Sequence, residues 1–446
     1  MNQPFSLYPG CLRAVRLVKS RSSVRTPATT LLILGCALTL SACGIGTAQQ
    51  QLSAPAAPPS AAPTPTAAPA ITDNLASQAA ACSQAQSDPL HGVVPLVNPS
   101  AVLAIHISSG DITSVTSTTT QANSNEPFDP STPLSGAIGP GAESWTAATG
   151  LAPNANYRVT VSGQNHGSPY THTLAFTTAG CFTQMITNPL PTDGETVGIA
   201  MPIVLQFDSP VTTAHQPAVI DHLTVTTNPP VTGAWRWMSP TELHWRPETY
   251  WTPGTAVSLT ANFQGLSFGG GVMGFAGWNE SFTIGAAHRT VINALTHRML
   301  VYSGGKLLWN FPVSLGKPGF PTLSGNLFVW GKEPSVLMVS CSTFGGAACI
   351  PGTINYYDSY VYNDVAISSN GFYIHDAYWD VPDHGVANVS HGCVEMNPAD
   401  SVLFYNFAQT GDLVVIQNTP NPADFTNDEA DWNIPFAHYA RSSLSS

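Results

Sequence analysis

Short runs of alternating apolar and polar residues, each ended by Gly, Pro, Asn or Ser, recur through most of this 446-residue chain. Residues 102–107 and 157–161 are two of these runs. Alternation with a period of two is typical of strands that are buried on one face, and closely spaced turn residues are typical of β-sandwiches. The sequence therefore predicts a mainly β fold.

Residues 1–42 have the pattern of an export signal. An apolar run at 31–38, too short for an ordinary transmembrane span, follows five basic residues, which are Arg13, Arg16, Lys19, Arg21 and Arg25. Leu-Ser-Ala-Cys at 40–43 is similar to a bacterial lipobox, which implies cleavage before Cys43 and lipidation of its thiol. An ordinary signal peptide or short anchor is the alternative. We predict an exported lipoprotein of the cell membrane that faces the cell wall or periplasm.

Composition divides the rest of the chain. The predicted segments are an Ala/Pro-rich linker at 43–81 that begins with the lipidated Cys43, β units at 82–182 and 183–286, a mostly β third unit at 287–418, and a tail at 419–446 that packs on the third unit. Four tryptophans of the second unit are candidates for sugar binding, but core packing is the favoured interpretation. They are Trp235, Trp237, Trp245 and Trp251.

The net charge argues against a nucleic-acid partner. The formal charge is −12 at pH 7, and removing the basic leader makes the chain more acidic still. Binding to phosphates needs a basic face. We therefore expect no nucleic acid among its partners.

Cysteine counting leaves one thiol unpaired in the exported chain. Cys341 and Cys349 bracket a glycine-centred loop that a local disulfide can close, and Cys82 and Cys181 bracket the first β unit. Both pairings are hypotheses, because sequence does not fix connectivity. Cys393 remains, and an unpaired thiol in an oxidising compartment needs a reason.

Cys393 has the surroundings of a nucleophile. His391 is two residues away, and His375 ends a short apolar run that predicts a buried strand. An imidazole can take the thiol proton and lower the thiol pKa toward neutrality. Gly392 permits a tight turn, and its N–H, with that of Cys393, is a candidate to face an oxyanion. Asn397 followed by proline predicts a short helix just after the cysteine.

Two other interpretations stay open for these residues. A free buried cysteine is often simply a small apolar side chain. Zinc is the second alternative, with ligands from His375, His384, His391 and Cys393, although the close ligand pairs of structural zinc sites are missing.

Several further motifs accompany Cys393. They are Ser-His-Gly-Cys at 390–393 with His375 upstream, Gly316-Lys317, Pro321-Thr322, Gly325, Gly411-Asp412, the runs at 227–230 and 245–248, and Asp-Trp-Asn-Ile-Pro at 431–435. With these motifs the chain resembles the L,D-transpeptidase catalytic domain, and in particular the actinobacterial branch that carries Ig-like domains. The resemblance implies two Ig-like β-sandwich domains followed by a mostly β catalytic domain with a short helix after the catalytic cysteine.

The resemblance also implies roles for individual residues. Cys393 would be the nucleophile and His375 the general base, oriented by the backbone carbonyl of Asp376, with His391, Gly392 and Ser390 supporting the site. Residues 341–362 would form a lid, with Trp379 near its base. The residues that would contact substrate or line the oxyanion region are Tyr357, Asn370, Gly371, Ser390 and Glu395.

Two positions depart from the family pattern. Family members often have Asn or Arg where this chain has Glu395, so substrate contact by that side chain is in doubt. They frequently have Gly or Ser where this chain has Asp376. We expect the second change to be tolerated because the main chain acts there, and we expect the acidic side chain to raise the pKa of His375.

The implied reaction is the formation of 3→3 cross-links between peptidoglycan stem peptides. A tetrapeptide stem would acylate the cysteine with loss of D-Ala, and the side-chain amine of a diamino acid on another stem would resolve the thioester. Carbapenem-type β-lactams would acylate the same thiol, and no cofactor or metal is implied. The alternatives are a cysteine amidase or endopeptidase, and a non-catalytic wall-binding lipoprotein.

Overall fold

The computed structural model describes residues 68–75, 87–88, 92–93, 96–121, 134–353, 355–424 and 431–440. The signal segment, Cys43, most of the linker and Cys82 lie outside these residues. Within them the chain is mainly β with a few short helices, as predicted. No helix in these ranges is long and apolar enough to span a membrane.

The first unit is a two-sheet β structure. Its strands are β1 (Ile71–Asp73), β2 (Ser87–Asp88), β3 (Gly92–Val93), β4 (Ala104–Ile107), β5 (Asp111–Gln121), β6 (Gly136–Ile138), β7 (Ser144–Ala147), β8 (Ala155–Asn165) and β9 (Ser168–Thr177), with a 3-10 helix at Pro140–Ala142. Two sheets, β1-β4-β7-β6 and β5-β8-β9, enclose the core. Along β8 alternate residues are buried, which is the period-two pattern seen in the sequence.

The second unit is also a sandwich. Its elements are β10 (Thr183–Gln184), β11 (Thr187–Leu190), β12 (Thr196–Val197), β13 (Ile203–Phe207), α1 (Gln216–Asp221), β14 (Leu223–Asn228), β15 (Gly233–Ser239), β16 (Glu242–Pro247), β17 (Ala256–Ala261), β18 (Ser267–Gly269), β19 (Val272–Met273) and β20 (Trp278–Ile284). The two main sheets are β11-β13-β16-β15 and β12-β20-β17-β14. Trp235, Trp237, Trp245 and Trp251 are all buried in this core, which confirms the core interpretation over sugar binding.

The third unit carries the segment of interest. Its elements are β21 (His288–Asn293), β22 (Arg298–Ser303), β23 (Lys306–Pro312), β24 (Leu323–Phe328), β25 (Gly331–Val339), α2 (Ser340–Phe344), β26 (Asp358–Ala366), β27 (Tyr373–Asp376), β28 (Val394–Met396), α3 (Pro398–Phe407), β29 (Leu413–Gln417) and β30 (Asn421–Pro422), with 3-10 helices at Gly346–Cys349 and Val381–Asp383. The sheets β23-β22-β21-β29-β24-β30 and β25-β26-β27-β28 contribute to one apolar core.

Two local predictions in the third unit are confirmed. Gly304 and Gly305 both have positive φ and join β22 to β23, as a two-residue hairpin turn requires. The side chain of Asn397 accepts hydrogen bonds from the N–H groups of Ala399 and Asp400 and so caps α3, the helix predicted after the cysteine.

The second and third units are closely joined. Gly198 N–H donates to the carbonyl of Thr410 at 2.7 Å, and Ala200 N–H donates to that of Gly411 at 2.8 Å. Leu413 lies in the core of the second unit. The shared core and backbone bonds give the third unit a rigid support.

The described part of the tail, which includes α4 (Phe436–Tyr439), contacts both units rather than the third alone. Asn433 bonds with the backbone of Asn326 in the third unit. Trp432 Nε1 donates to the carbonyl of Ala200, and the Arg246 guanidinium of the second unit lies 4.8 Å from the Trp432 ring. The tail therefore joins the two units.

Candidate active site

Strand register places Cys393 next to His375. The parallel strands β27 and β28 pair His375 with Glu395, and Cys393 directly precedes β28. Residues opposite each other share a face of the sheet, and alternate residues return to the same face. Cys393 therefore lies diagonally across the strand pair from His375.

Ser390 braces the turn that presents the thiol. Its hydroxyl donates to the carbonyl of Cys393 at 2.7 Å and accepts the N–H of Gly392 at 3.0 Å. The prediction that the Gly392 N–H faces an oxyanion is therefore wrong for this structure, because Ser390 already accepts it. Gly392 has φ +128°, and a Cβ there would lie 3.1 Å from the Phe372 ring. The turn thus needs glycine for its conformation and for its close packing.

Cys393 is the free cysteine among the described residues, and it is half-buried. Burial raises the pKa of its thiol to about 12, and a hydrogen bond from the Tyr373 backbone opposes this rise; a negative charge on Glu395 or Asp364 would add to it. The predicted lowering of this pKa is therefore wrong, because desolvation of a thiolate outweighs the stabilising contacts. At neutral pH the group is a thiol and needs a base to remove its proton.

His375 is a buried neutral base. Its Nδ1 lies 2.6 Å from the backbone carbonyl oxygen of Asp376, the orientation that the family resemblance implied. Burial lowers the pKa of His375, and the negative charges of Asp376 and Asp380 do not outweigh it. The Asp376 side chain does raise the pKa of His375, as expected, but burial has the larger effect and the net shift is downward. A neutral imidazole with Nδ1 donating leaves Nε2 as the basic atom.

His391 supports the site from the other side. Its Nε2 accepts a hydrogen bond from Lys317 Nζ at 2.8 Å, and its ring packs against Phe320, Phe344 and Tyr357. Burial, together with the charge of Lys317, lowers its pKa to about 4. His391 is therefore neutral at physiological pH and braces the loop beside Cys393, in agreement with the supporting role that the family resemblance implied.

The segment predicted as a lid is closed by a disulfide. Cys341 and Cys349 are bonded, as the spacing suggested. Cys181 is also in a disulfide, and its predicted partner Cys82 lies outside the described residues. The buried hydroxyl of Ser340 donates to the carbonyl of Ala348 at 2.7 Å, accepts the N–H of Tyr357 at 2.9 Å, and so closes the base of the loop. Phe344, inside the disulfide loop, therefore reaches the His391 ring from a braced position.

The other predicted contact residues lie in exposed or half-buried positions. Asn370 and Gly371 lie in the exposed turn between β26 and β27, and Tyr357 is half-buried beside His391. Trp379 is 47% exposed, and its ring centroid lies 6.3 Å from that of His375. These positions put an open, partly aromatic surface next to the buried base.

Glu395, which was expected to contact substrate, is buried rather than exposed. It is buried and hydrogen-bonds with Ser314 and Asp380, and Asp380 in turn accepts from His384 Nε2 at 3.0 Å. Burial, and then the contact with Asp380, raises the pKa of Glu395 to about 9. Sequence inspection missed Ser314 and Asp380 and considered His384 only as a zinc ligand, since no local pattern links these segments.

The zinc alternative gains no support from the geometry. In the part of the chain that the structure describes, no three or more His, Cys, Asp or Glu side chains converge as a metal site. The four candidate ligands separate, with His391 turned to Lys317 and His384 to Asp380.

Comparison with known proteins identifies the chain. The family model described as the L,D-transpeptidase catalytic domain matches residues 287–416, and that of a bacterial Ig domain matches 95–267. L,D-transpeptidase 2 of Mycobacterium tuberculosis (strain CDC 1551 / Oshkosh) is 32% identical over 305 residues, which are 68% of this chain and 73% of that protein. The chain therefore belongs to the L,D-transpeptidase family.

Further relatives match about half of the chain. L,D-transpeptidase 1 of M. tuberculosis (strain ATCC 25618 / H37Rv) is 32% identical over 229 residues, covering 51% of this chain and 82% of that protein. The crystal structure of M. tuberculosis L,D-transpeptidase 3 in complex with a faropenem-derived adduct is 30% identical, with a TM-score of 0.43, and covers 52% of this chain and 97% of that one.

Proposed function

We propose that this protein forms 3→3 cross-links in peptidoglycan by acyl transfer through Cys393. The observation that carries the proposal is a free thiol diagonally across a parallel strand pair from a buried, neutral imidazole. The Asp376 carbonyl fixes that imidazole with Nε2 as its basic atom. Such a pair suits attack on an amide carbonyl by a thiol that gives up its proton during the attack.

The first step makes a thioester. Cys393 Sγ bonds to the carbonyl carbon of the third residue of a tetrapeptide stem while His375 Nε2 takes the thiol proton. The tetrahedral intermediate then collapses, the bond to the terminal D-Ala nitrogen breaks, and His375 returns the proton to that leaving amine. D-Ala leaves, and the stem remains on sulfur.

The second step makes the cross-link. The side-chain amine of a diamino acid on another stem bonds to the thioester carbonyl, and His375 takes its proton. Collapse breaks the carbon–sulfur bond, and the proton returns to Cys393. Water in place of the amine would give hydrolysis, so the half-buried position of the thiol favours transfer by limiting access to water.

Carbapenem-type β-lactams are the proposed inhibitors. A relative has been crystallised in complex with imipenem and another with a faropenem-derived adduct. In this chain the strained lactam carbonyl would take the place of the stem carbonyl. Cys393 Sγ would bond to its carbon, the ring carbon–nitrogen bond would break, and His375 would pass the thiol proton to the ring nitrogen, which stays attached to the acyl group.

We also propose that the chain is exported and held at the membrane by lipidated Cys43, with the linker reaching toward the cell wall. The motif at 40–43 supports this placement. Cys43→Ala should move the protein from the membrane fraction to the soluble exported fraction, and unchanged membrane retention would contradict the lipid anchor.

A two-part assay tests the activity. The full chain is incubated with a tetrapeptide stem, with and without an amine acceptor stem, and the products are followed by mass spectrometry. Transfer predicts D-Ala release and a cross-linked dimer that requires the acceptor, whereas a tripeptide product independent of acceptor would identify a hydrolase. Cys393→Ser is the matched control, and it should form neither dimer nor imipenem adduct. An adduct retained on the variant would refute the assigned nucleophile.

A further inference from the structure

Glu395 is a buried carboxyl group directly across from the base. It is the strand partner of His375, and 6% of its surface is exposed. Its Oε2 atom is buried, and none of the described residues donates a hydrogen bond to it. A buried carboxylate oxygen without a donor is strongly unfavourable, whereas a protonated oxygen in the same place is itself a donor. The burial of Oε2 therefore favours the neutral acid.

Asp380 is the carboxyl group in contact with Glu395 that can accept a hydrogen bond from the neutral acid. It is 9% exposed, contacts the Glu395 carboxyl, and accepts a hydrogen bond from buried His384 Nε2 at 3.0 Å. Burial opposes its ionisation, but the contacts with His384 and Glu395 outweigh burial and lower its pKa. Two adjacent carboxyl groups do not both ionise readily, so the one bonded to histidine keeps the charge. Glu395 keeps the proton.

The groups that face Glu395 come from several segments. His375 lies on β27, Asp380 and His384 follow it, and Cys393 lies on the same segment as Glu395. Lys317, from the loop after β23, acts electrostatically on Glu395 and favours its ionised form. These contacts thus keep Glu395 protonated although the positive charge of Lys317 favours its ionised form.

A negative charge on Glu395 would oppose the chemistry. It raises the pKa of the Cys393 thiol. It would also favour the protonated form of His375, which cannot act as a base. An oxyanion forming beside Cys393 would meet the same repulsion. The neutral acid avoids all three effects.

We propose that Glu395 is a positioning residue that works as a neutral acid, with Asp380 holding the proton on it, and that its ionisation suppresses attack by Cys393. The inference rests on the proposed function, because it concerns the same thiol. It explains how a glutamate can occupy position 395, close to both the nucleophile Cys393 and the base His375, without adding a negative charge there.

Two variants separate charge from shape. Glu395→Gln has nearly the shape of the protonated acid but does not ionise. Asp380→Asn removes the anion that retains the proton, so Glu395 should ionise at lower pH. The double variant should behave like Glu395→Gln, because the titrating group is then absent.

The test is the rate of acylation of the full chain by imipenem across a pH series, followed by mass spectrometry. The wild type should lose rate on the alkaline side, approaching tenfold per pH unit once Glu395 ionises. Glu395→Gln should lack this loss, so its acylation rate should no longer fall as the pH rises through the alkaline range. Asp380→Asn should move the loss down by about one pH unit or more. An unchanged alkaline loss in Glu395→Gln, or equal slowing at every pH, would overturn the inference.

Infrared spectroscopy supplies a readout that does not depend on acylation. A protonated-carboxyl band at neutral pH that disappears in Glu395→Gln supports the proposal, and spectra without that difference overturn it. If the folded wild type takes no imipenem at any pH, the proposed function fails, and the infrared comparison still decides the state of Glu395.

Discussion

Nδ1 of His375 donates to the backbone carbonyl oxygen of Asp376 across 2.6 Å, so the main chain rather than a side chain fixes the orientation of the base. The Asp376 carboxylate points elsewhere, and its Oδ1 accepts the N–H of Tyr362 at 2.9 Å. The side chain at position 376 can therefore vary while the base keeps its tautomer and direction.

The base should remain active in mild acid. Burial lowers the pKa of His375 below its ordinary value of 6.5, so the imidazole stays neutral as pH falls through 6.5. Acylation by imipenem should persist below that pH and decline only as pH passes the lowered pKa. A pH series of acylation rates measures this acid side of the pH–rate profile. The variant His375→Gln should be slower than the wild type by about 10²–10⁴-fold at neutral pH. An acid inflection above pH 6.5 would contradict the buried neutral base.

The variant Asp376→Asn tests whether the main-chain carbonyl of residue 376 is sufficient to orient His375. The amide oxygen of Asn can still accept the Tyr362 N–H, and the carbonyl that orients His375 is retained. Acylation at neutral pH should stay within about threefold of the wild type. Loss of the Asp376 charge, which raises the pKa of His375, should move the acid limb to lower pH. A large rate loss at every pH would instead assign the side chain a direct part.

Local sequence signals predicted local structure well. The Gly304-Gly305 hairpin and the Asn397 cap follow from backbone preferences of a few neighbouring residues, and the structure has both. The nucleophile and base candidates also followed from residue types near Cys393. Their placement on adjacent strands depends on the register of β27 and β28, which pairs residues 20 positions apart in sequence.

Electrostatic properties could not be predicted in the same way. An imidazole near a thiol lowers the thiol pKa in a polar setting, but the burial that reverses this effect at Cys393 arises only from tertiary packing. The contact between Glu395 and Asp380 joins a strand to a loop, and no sequence spacing encodes it. The tail contacts with the second unit likewise join residues that are far apart in sequence. His244 and Asp431, for example, are separated by 187 positions.

The lid disulfide should matter for rate more than for global stability. It encloses Phe344, whose ring centroid lies 6.3 Å from that of His391, and it closes only eight residues of sequence. Cys341→Ser with Cys349→Ser should free this loop at a local cost of about 2–3 kcal/mol and slow acylation by about tenfold. Hydrogen exchange should rise in residues 341–349 and stay unchanged in β27.

Chemical reduction of the wild type is a second test of the lid disulfide, although it also opens the disulfide of Cys181. Reduction should reproduce the slower acylation while leaving Cys393 available to imipenem. If the double variant and the reduced wild type both acylate at the original rate, the disulfide does not position Phe344 against His391.

The buried pair His244 and Asp431 should make the stability of the tail depend on pH. His244 Nδ1 donates to Asp431 Oδ2 at 2.8 Å, and its Nε2 donates to Glu242 at 2.9 Å. Burial opposes the charge on His244, but these carboxylates outweigh burial and raise its pKa to about 10. A raised histidine pKa gives stability that is complete below the unfolded value of 6.5 and is lost as pH rises through about 10.

Asp431→Asn should therefore lower the free energy of unfolding by about 3 kcal/mol at neutral pH, because it leaves His244 poorly compensated in a buried site. The deficit should shrink toward pH 10, where His244 is neutral in the wild type as well. Glu242→Gln is the matched control and should cost about 1 kcal/mol, since the Glu242 side chain is 20% exposed. Urea unfolding followed by tryptophan fluorescence at pH 6, 8 and 10 measures both variants. An Asp431→Asn deficit that is constant across this range would show that packing, rather than the charge of His244, holds the tail.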